Sequence, residues 1–123
     1  MGKAIRFGDL LNGASTYYDN ALSNTTRAVL ASETTTNSKH IAYITMTTEG
    51  VASYFGDLSS AGRGQASSTQ VRGVIAHRAS PGDNVTEHIT ISTGGNGISF
   101  GELSTPQNSG GSTSDSHGGL GGF

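Results

Sequence analysis

The chain has no cysteine and no tryptophan, and only 13% of its 123 residues are charged. Without cysteine there can be no disulfide, no thiolate metal site and no cysteine nucleophile. The formal net charge is -2 and neither sign forms a run, so no basic stripe exists to follow a phosphate backbone and no polybasic patch to hold a membrane. Nucleic acid and membrane insertion are therefore not expected among the partners. The first residues hold no apolar run of signal-peptide length, and nothing later approaches the roughly 20 apolar residues of a spanning helix, so no signal peptide is expected. Large apolar side chains are scarce too, with 33% hydrophobic residues, four Phe and 19 Gly. Ordering a chain costs about 1.5 kcal/mol per residue while burial returns about 25 cal/mol per Å², so a Gly/Ser/Thr-rich chain of this size is expected to lean on neighbours.

What the chain does contain is an internal repeat. Ile41 to Ser59 returns about 45 residues later as Thr86 to Ser104, with Ile44 over Ile89, Thr45 over Thr90, Gly50 over Gly95, and Phe55-Gly56-Asp57-Leu58 over Phe100-Gly101-Glu102-Leu103. The same register sets Arg72-Gly73-Val74-Ile75 over His117-Gly118-Gly119-Leu120. Near the start, Phe7-Gly8-Asp9-Leu10 carries the motif again, and Arg27-Ala28-Val29-Leu30 matches Arg72-Gly73-Val74-Ile75. Residues 1–123 thus read as one repeat domain, with a divergent partial unit at 5–40 and units at 41–85 and 86–123.

The local composition of the repeat is that of strands. Ile41 to Thr47 is β-branched and aromatic, with Ile41, Tyr43 and Thr45 on one face and Ala42, Ile44 and Met46 on the other. Glu49-Gly50 turns the chain and Ala52 to Leu58 returns antiparallel; the second copy repeats this hairpin around Gly94-Gly95-Asn96-Gly97. Arg27 to Ser32 and Val71 to His77 are compact apolar strands. In Ala14 to Thr26 the spacing of Tyr17, Tyr18, Ala21 and Leu22 would also suit a helical turn, but the repeat register favours a strand with a longer loop; Ser59 to Gln70 reads as a loop or weak strand. Ser80-Pro81-Gly82-Asp83-Asn84 is a turn. In the Gly/Ser-rich final stretch the register places a loop at Asn108 to Ser114 and a strand at His117 to Phe123. The fold class expected is all-β, in antiparallel kelch-like or propeller-blade-like repeats completed by oligomerisation.

Each copy of Phe-Gly-acid-Leu reads as scaffold: the ring fills a pocket between sheets, glycine lets backbone approach, and the acid caps a turn. Repetition at matched sites favours that role over a cation or sugar site, since every unit needs the same internal solution. The ionisable groups converge only where the Pro81-Gly82 turn brings His77 and Arg78 near Glu87 and His88, which reads as a solvated cross-strand charge pair. No metal-ligand spacing, catalytic triad or phosphate-binding loop can be defended, so no metal, cofactor or enzymatic activity is expected.

Arg72-Gly73-Val74-Ile75, Tyr43-Ile44-Thr45-Met46 and Gly95-Asn96-Gly97-Ile98-Ser99-Phe100-Gly101-Glu102-Leu103 together resemble a degenerate kelch-like repeat of tail-fibre and virion-associated proteins of marine tailed phages, cyanophages especially. The resemblance extends to Ser116-His117-Gly118-Gly119-Leu120-Gly121-Gly122 and covers most of the chain from Ile41 onward, and residues 5–31 more loosely. It implies a non-enzymatic virion structural protein, made in the host cytoplasm, serving in a tail fibre, tail appendage or capsid decoration alongside other virion proteins. It also implies a homo-oligomer, a trimer by preference, since the repeat register breaks within a unit at both ends. The rival reading is a carbohydrate-binding module that meets host surface glycan through Tyr43, Tyr54 or His88 on exposed loops.

Overall fold

The computed structural model describes residues 2–11, 18–33, 38–78, 84–106 and 110–114. Its eight strands are β1 (Tyr18–Ser23), β2 (Arg27–Glu33), β3 (Ser38–Thr45), β4 (Ser53–Asp57), β5 (Arg63–Ser68), β6 (Arg72–Arg78), β7 (Val85–Thr90) and β8 (Ile98–Glu102). They form two antiparallel four-stranded sheets, each a meander in sequence order, β1-β2-β3-β4 and β5-β6-β7-β8. The described residues contain no helix. The protein is all-β, as its composition led one to expect.

The repeat is visible bond by bond. Asn24 N donates to Arg27 O over 3.0 Å, and one repeat later Thr69 N donates to Arg72 O over 2.9 Å. Leu58 N donates to Lys39 O and Leu103 N to Asn84 O, both over 2.8 Å. The tight turns that open the sheets are closed by side-chain oxygens at matching places. Asn24 Oδ1 accepts from Thr26 N and Arg27 N, whereas Thr69 Oγ1 accepts from Val71 N and Arg72 N. In both sheets the register shifts between the third and fourth strands, a bulge at Ile41/Ala42 and again at Thr86/Glu87.

Strand pairing sorts the faces. Ala31 sits opposite Ile41, Val29 opposite Tyr43 and Leu22 opposite Val29, so these side chains share one face of the first sheet. In the second sheet Gly73 sits opposite Ile89 and Ile75 opposite Glu87, on the face shared by His77. The buried core joins Leu22, Val29, Ala31, Ile41, Phe55 and Leu58 of the first unit to Ile75, Ile89 and Ile91 of the second. Leu22 fits above Gly73, where its methyl groups occupy the space a Cβ would take. One repeat on from Leu22 stands Ser67, not Gly73, so the first sheet lays its front on the back of the second. The two units are stacked head to tail rather than face to face.

The sheets divide the chain at residues 58–62, a different phase from the 41–85 and 86–123 division drawn from the sequence. The stretch Ser59 to Gln70 contains a full strand, β5. Residues 110–114 form no strand, but run beside β5: Ser112 Oγ donates to Ala66 O, Ser67 Oγ to Thr113 O and Ser114 Oγ to Ser68 O. This is the seat that β5 itself takes beside β1, where Ser68 Oγ donates to Ser23 O over 2.7 Å across 45 residues. Of the expected Ser80–Asn84 turn only Asn84 is among the described residues, and the expected His117–Phe123 strand lies outside them.

Candidate functional site: backbone clasps between repeats

Phe-Gly-acid is a clasp between units. At Phe55-Gly56-Asp57 the carbonyl of Phe55 accepts from Gly95 N at 2.9 Å and that of Asp57 from Gly97 N at 2.8 Å. These amides belong to the hairpin turn of the next sheet. At Phe7-Gly8-Asp9 the same pair recurs against the first sheet's own turn, Phe7 O to Gly50 N at 3.1 Å and Asp9 O to Ala52 N at 2.8 Å. The glycine between the two acceptors lies flat against the turn. A Cβ on Gly56 would overlap the Gly95 carbonyl, and one on Gly8 would overlap the Gly50 carbonyl. Only glycine permits that approach.

The third motif has the same residues and a different environment. A Cβ on Gly101 would meet nothing among the described residues. Phe100 is 56% exposed, whereas Phe55 is 5% exposed and Phe7 39%. The expectation that all three rings fill equivalent pockets is therefore corrected. Phe55 lies between two sheets, with its ring edge-on to Tyr43 at 6.0 Å, while Phe100 makes the equivalent contact to His88 at 5.9 Å on a face that nothing described covers. Among the leucines too the middle copy is the most buried: Leu58 is 1% exposed, Leu103 is half-buried and Leu10 is 40% exposed.

The acids do not cap turns. The backbone carbonyls of Asp9 and Asp57 make the clasp, and their carboxylates link sideways. Asp9 accepts from Arg6 at 2.6 Å on the surface. Asp57 accepts from His40 Nδ1 at 2.6 Å, and this bond, with a further one from the Tyr54 hydroxyl, holds its carboxyl below the ordinary range despite an opposing effect of burial. Asp57 N is in turn capped by Asn96 Oδ1 at 3.0 Å. Arg27 adds a second bridge between the sheets, donating to Ile91 O and Ser92 O at 2.9 and 2.8 Å with its guanidinium 4.6 Å above the Tyr43 ring.

His77 and Glu87 are not a solvated pair. They are 0% and 2% exposed, with His77 Nε2 donating to a Glu87 oxygen at 2.8 Å. The same carboxylate accepts from Ser59 N at 3.1 and 3.2 Å and from Ser59 Oγ at 3.1 Å. Burial works to raise the Glu87 carboxyl, and the bonds from His77 and Ser59 outweigh it, leaving the pKa below its ordinary value. Ser59 directly follows the Phe55–Leu58 motif, so the pair fastens the end of the first unit to the second. Sequence reading missed this because it weighed the turn, not the face. The signal was there: His77 alternates with Ile75, and Glu87 with Ile89, on a strand face that is otherwise apolar. Arg78 and His88, on the opposite parity, take no part in it.

The residues proposed for glycan contact do not converge. Tyr43 is half-buried in β3, Tyr54 is 54% exposed in β4, and His88 is half-buried in β7. All three stand on strands, not on exposed loops. Tyr54 sits opposite Ala42, on the other face of the first sheet from Tyr43. Among the described residues no group of three His, Asp or Glu is placed to hold a metal ion. Compared with known proteins, the chain matches no family model, no curated protein and no solved structure.

Proposed function

We propose that the chain is a non-enzymatic structural subunit of a tailed-phage virion, part of a tail fibre, a tail appendage or a capsid decoration. The observation that carries the structural half of this reading is the clasp. Its contacts run from backbone to backbone and serve to seat one unit on the next, while the sequence's most repeated residues are spent on it. The buried ionisable pair, His77 with Glu87, is closed off by the sheets and tied to Ser59, which suits a fastening rather than a reacting centre. The virion location rests on the resemblance of the Arg72–Ile75, Tyr43–Met46 and Gly95–Leu103 motifs to phage kelch-like repeats. Four-stranded meanders stacked front on back fit the blades of a propeller, and three chains would supply about six blades, within the range of closed propellers. A trimer is the oligomer this favours. Mass spectrometry of purified particles should find the chain at many copies per virion; absence from particles would overturn the reading.

The rival reading, a module that recognises host surface glycan, has one observation in its favour. Tyr54 presents an exposed ring beside the Asp57 carboxylate and edge-on to His40 at 5.6 Å, a stacking surface next to hydrogen-bonding groups. Binding on a glycan array that is lost in Tyr54→Ala would establish it.

A further inference from the structure

The open copy of the clasp, Phe100-Gly101-Glu102, has a matching surface on the opposite side of the same molecule. Where the first sheet seats on the second, the receiving face presents Ile75, Ile89 and Ile91, all at most 1% exposed. One repeat earlier these positions are Leu30, Ile44 and Met46, on the back of the first sheet. They are apolar as well, and less covered: Leu30 and Ile44 are half-buried and Met46 is 41% exposed. The turn that would receive the clasp, Gly50 to Ala52, offers the same two amides that Gly95 and Gly97 offer to Phe55 and Asp57.

We propose that Phe100-Gly101-Glu102 clasps the Gly50–Ala52 turn of a second copy, with Phe100 seated against that copy's Leu30, Ile44 and Met46. This rests on the structural reading above and names its contact. Such a junction repeats the one already present between the two sheets of each chain, so it propagates head to tail, closing into a ring or extending as a filament according to the rotation per step. Two segments of the same chain hold the required seats. Residues 7–9 occupy the Gly50–Ala52 turn, and residues 110–114 lie where the incoming copy's β1 would run beside β5. Both are exposed: Ile5 is 86% exposed, Leu10 40% and Leu11 38%. The described bonds of residues 110–114 to β5 run through serine hydroxyls. These segments act as caps that a second copy displaces.

The test uses the full chain in sedimentation velocity over a concentration series. Gly8→Val forces a side chain into the Gly50 carbonyl and releases the cap; it should tighten self-association about tenfold. Phe100→Asp leaves the folded monomer's melting temperature unchanged and should abolish association, both alone and combined with Gly8→Val. Association that survives Phe100→Asp would overturn the proposed contact and leave the structural role standing, to be judged by the particles. A chain that stays monomeric both as wild type and as Gly8→Val would overturn the contact as well.

Discussion

Phe55-Gly56-Asp57 and Phe100-Gly101-Glu102 are nearly the same peptide in equivalent strands of equivalent sheets, and yet one lies in the core of the molecule and the other on its surface. The Phe55 ring is covered by the back of a second sheet; the Phe100 ring is 56% exposed, edge-on to His88. Their strand pairing is alike, down to the bulge that falls at the phenylalanine of each motif. What separates them, among the described residues, is whether a second sheet covers the ring. In a stacked repeat the energetic role of a residue is set by the interface it meets, and a motif repeated for packing is apolar wherever it stands.

The sharpest way to break the comparison is the same substitution at both sites. Phe55→Ala should cost about 3–5 kcal/mol, because it empties a buried ring position that cannot refill. Phe100→Ala should change the monomer by no more than about 0.5 kcal/mol, as for a surface position. Urea denaturation of the two variants reads the difference; equal losses would mean that Phe100 is covered in the folded monomer.

Next in size is the fastening behind the clasp. Glu87→Gln keeps the shape but weakens the acceptor of three donors, His77 Nε2, Ser59 N and Ser59 Oγ, and should cost about 1–3 kcal/mol by chemical denaturation. The first unit has Ala42 at the equivalent place and has no such pair to lose. A neutral effect would show that the clasp, the Arg27 bridge and the apolar core hold the sheets together without it.

A smaller effect comes with acid. The Glu87 and Asp57 carboxyls are both held below their ordinary values of 4.5 and 3.8 in the folded protein. For a carboxyl depressed on folding, the stabilisation is complete above the unfolded value and is lost as pH falls through the folded one. The melting temperature should therefore be level with respect to these groups above pH 4.5 and decline below it, and the decline should be shallower in Glu87→Gln. An acid profile identical in wild type and Glu87→Gln would contradict the hydrogen-bond account of that carboxyl.

Much of the fold could be read from the repeat. The Tyr43–Leu58 and His88–Leu103 hairpins follow from β-branched residues on either side of glycine turns, and the common register of Gly50 and Gly95 places both turns. Strand β5 was harder, because Arg63-Gly64-Gln65-Ala66-Ser67-Ser68 carries no large apolar residue and gains its order from β6 and β1 rather than from its own side chains. The inequality of the three phenylalanines was not legible at all: the motif is local and burial depends on a neighbour elsewhere in the fold. The His77–Glu87 pair was misjudged for a related reason. Charge in a short hairpin suggests solvent, and only the front-on-back stacking of the sheets shows that this face is roofed.

The clasp itself is tested most directly by amide hydrogen exchange followed residue by residue by NMR at Gly95 and Gly97. These amides donate to Phe55 O and Asp57 O and are predicted to exchange only through global opening, at a free energy matching that from denaturant unfolding. Exchange at Gly95 and Gly97 through local opening, at a free energy well below that of global unfolding, would contradict the account that Phe-Gly-acid fastens one repeat to the next.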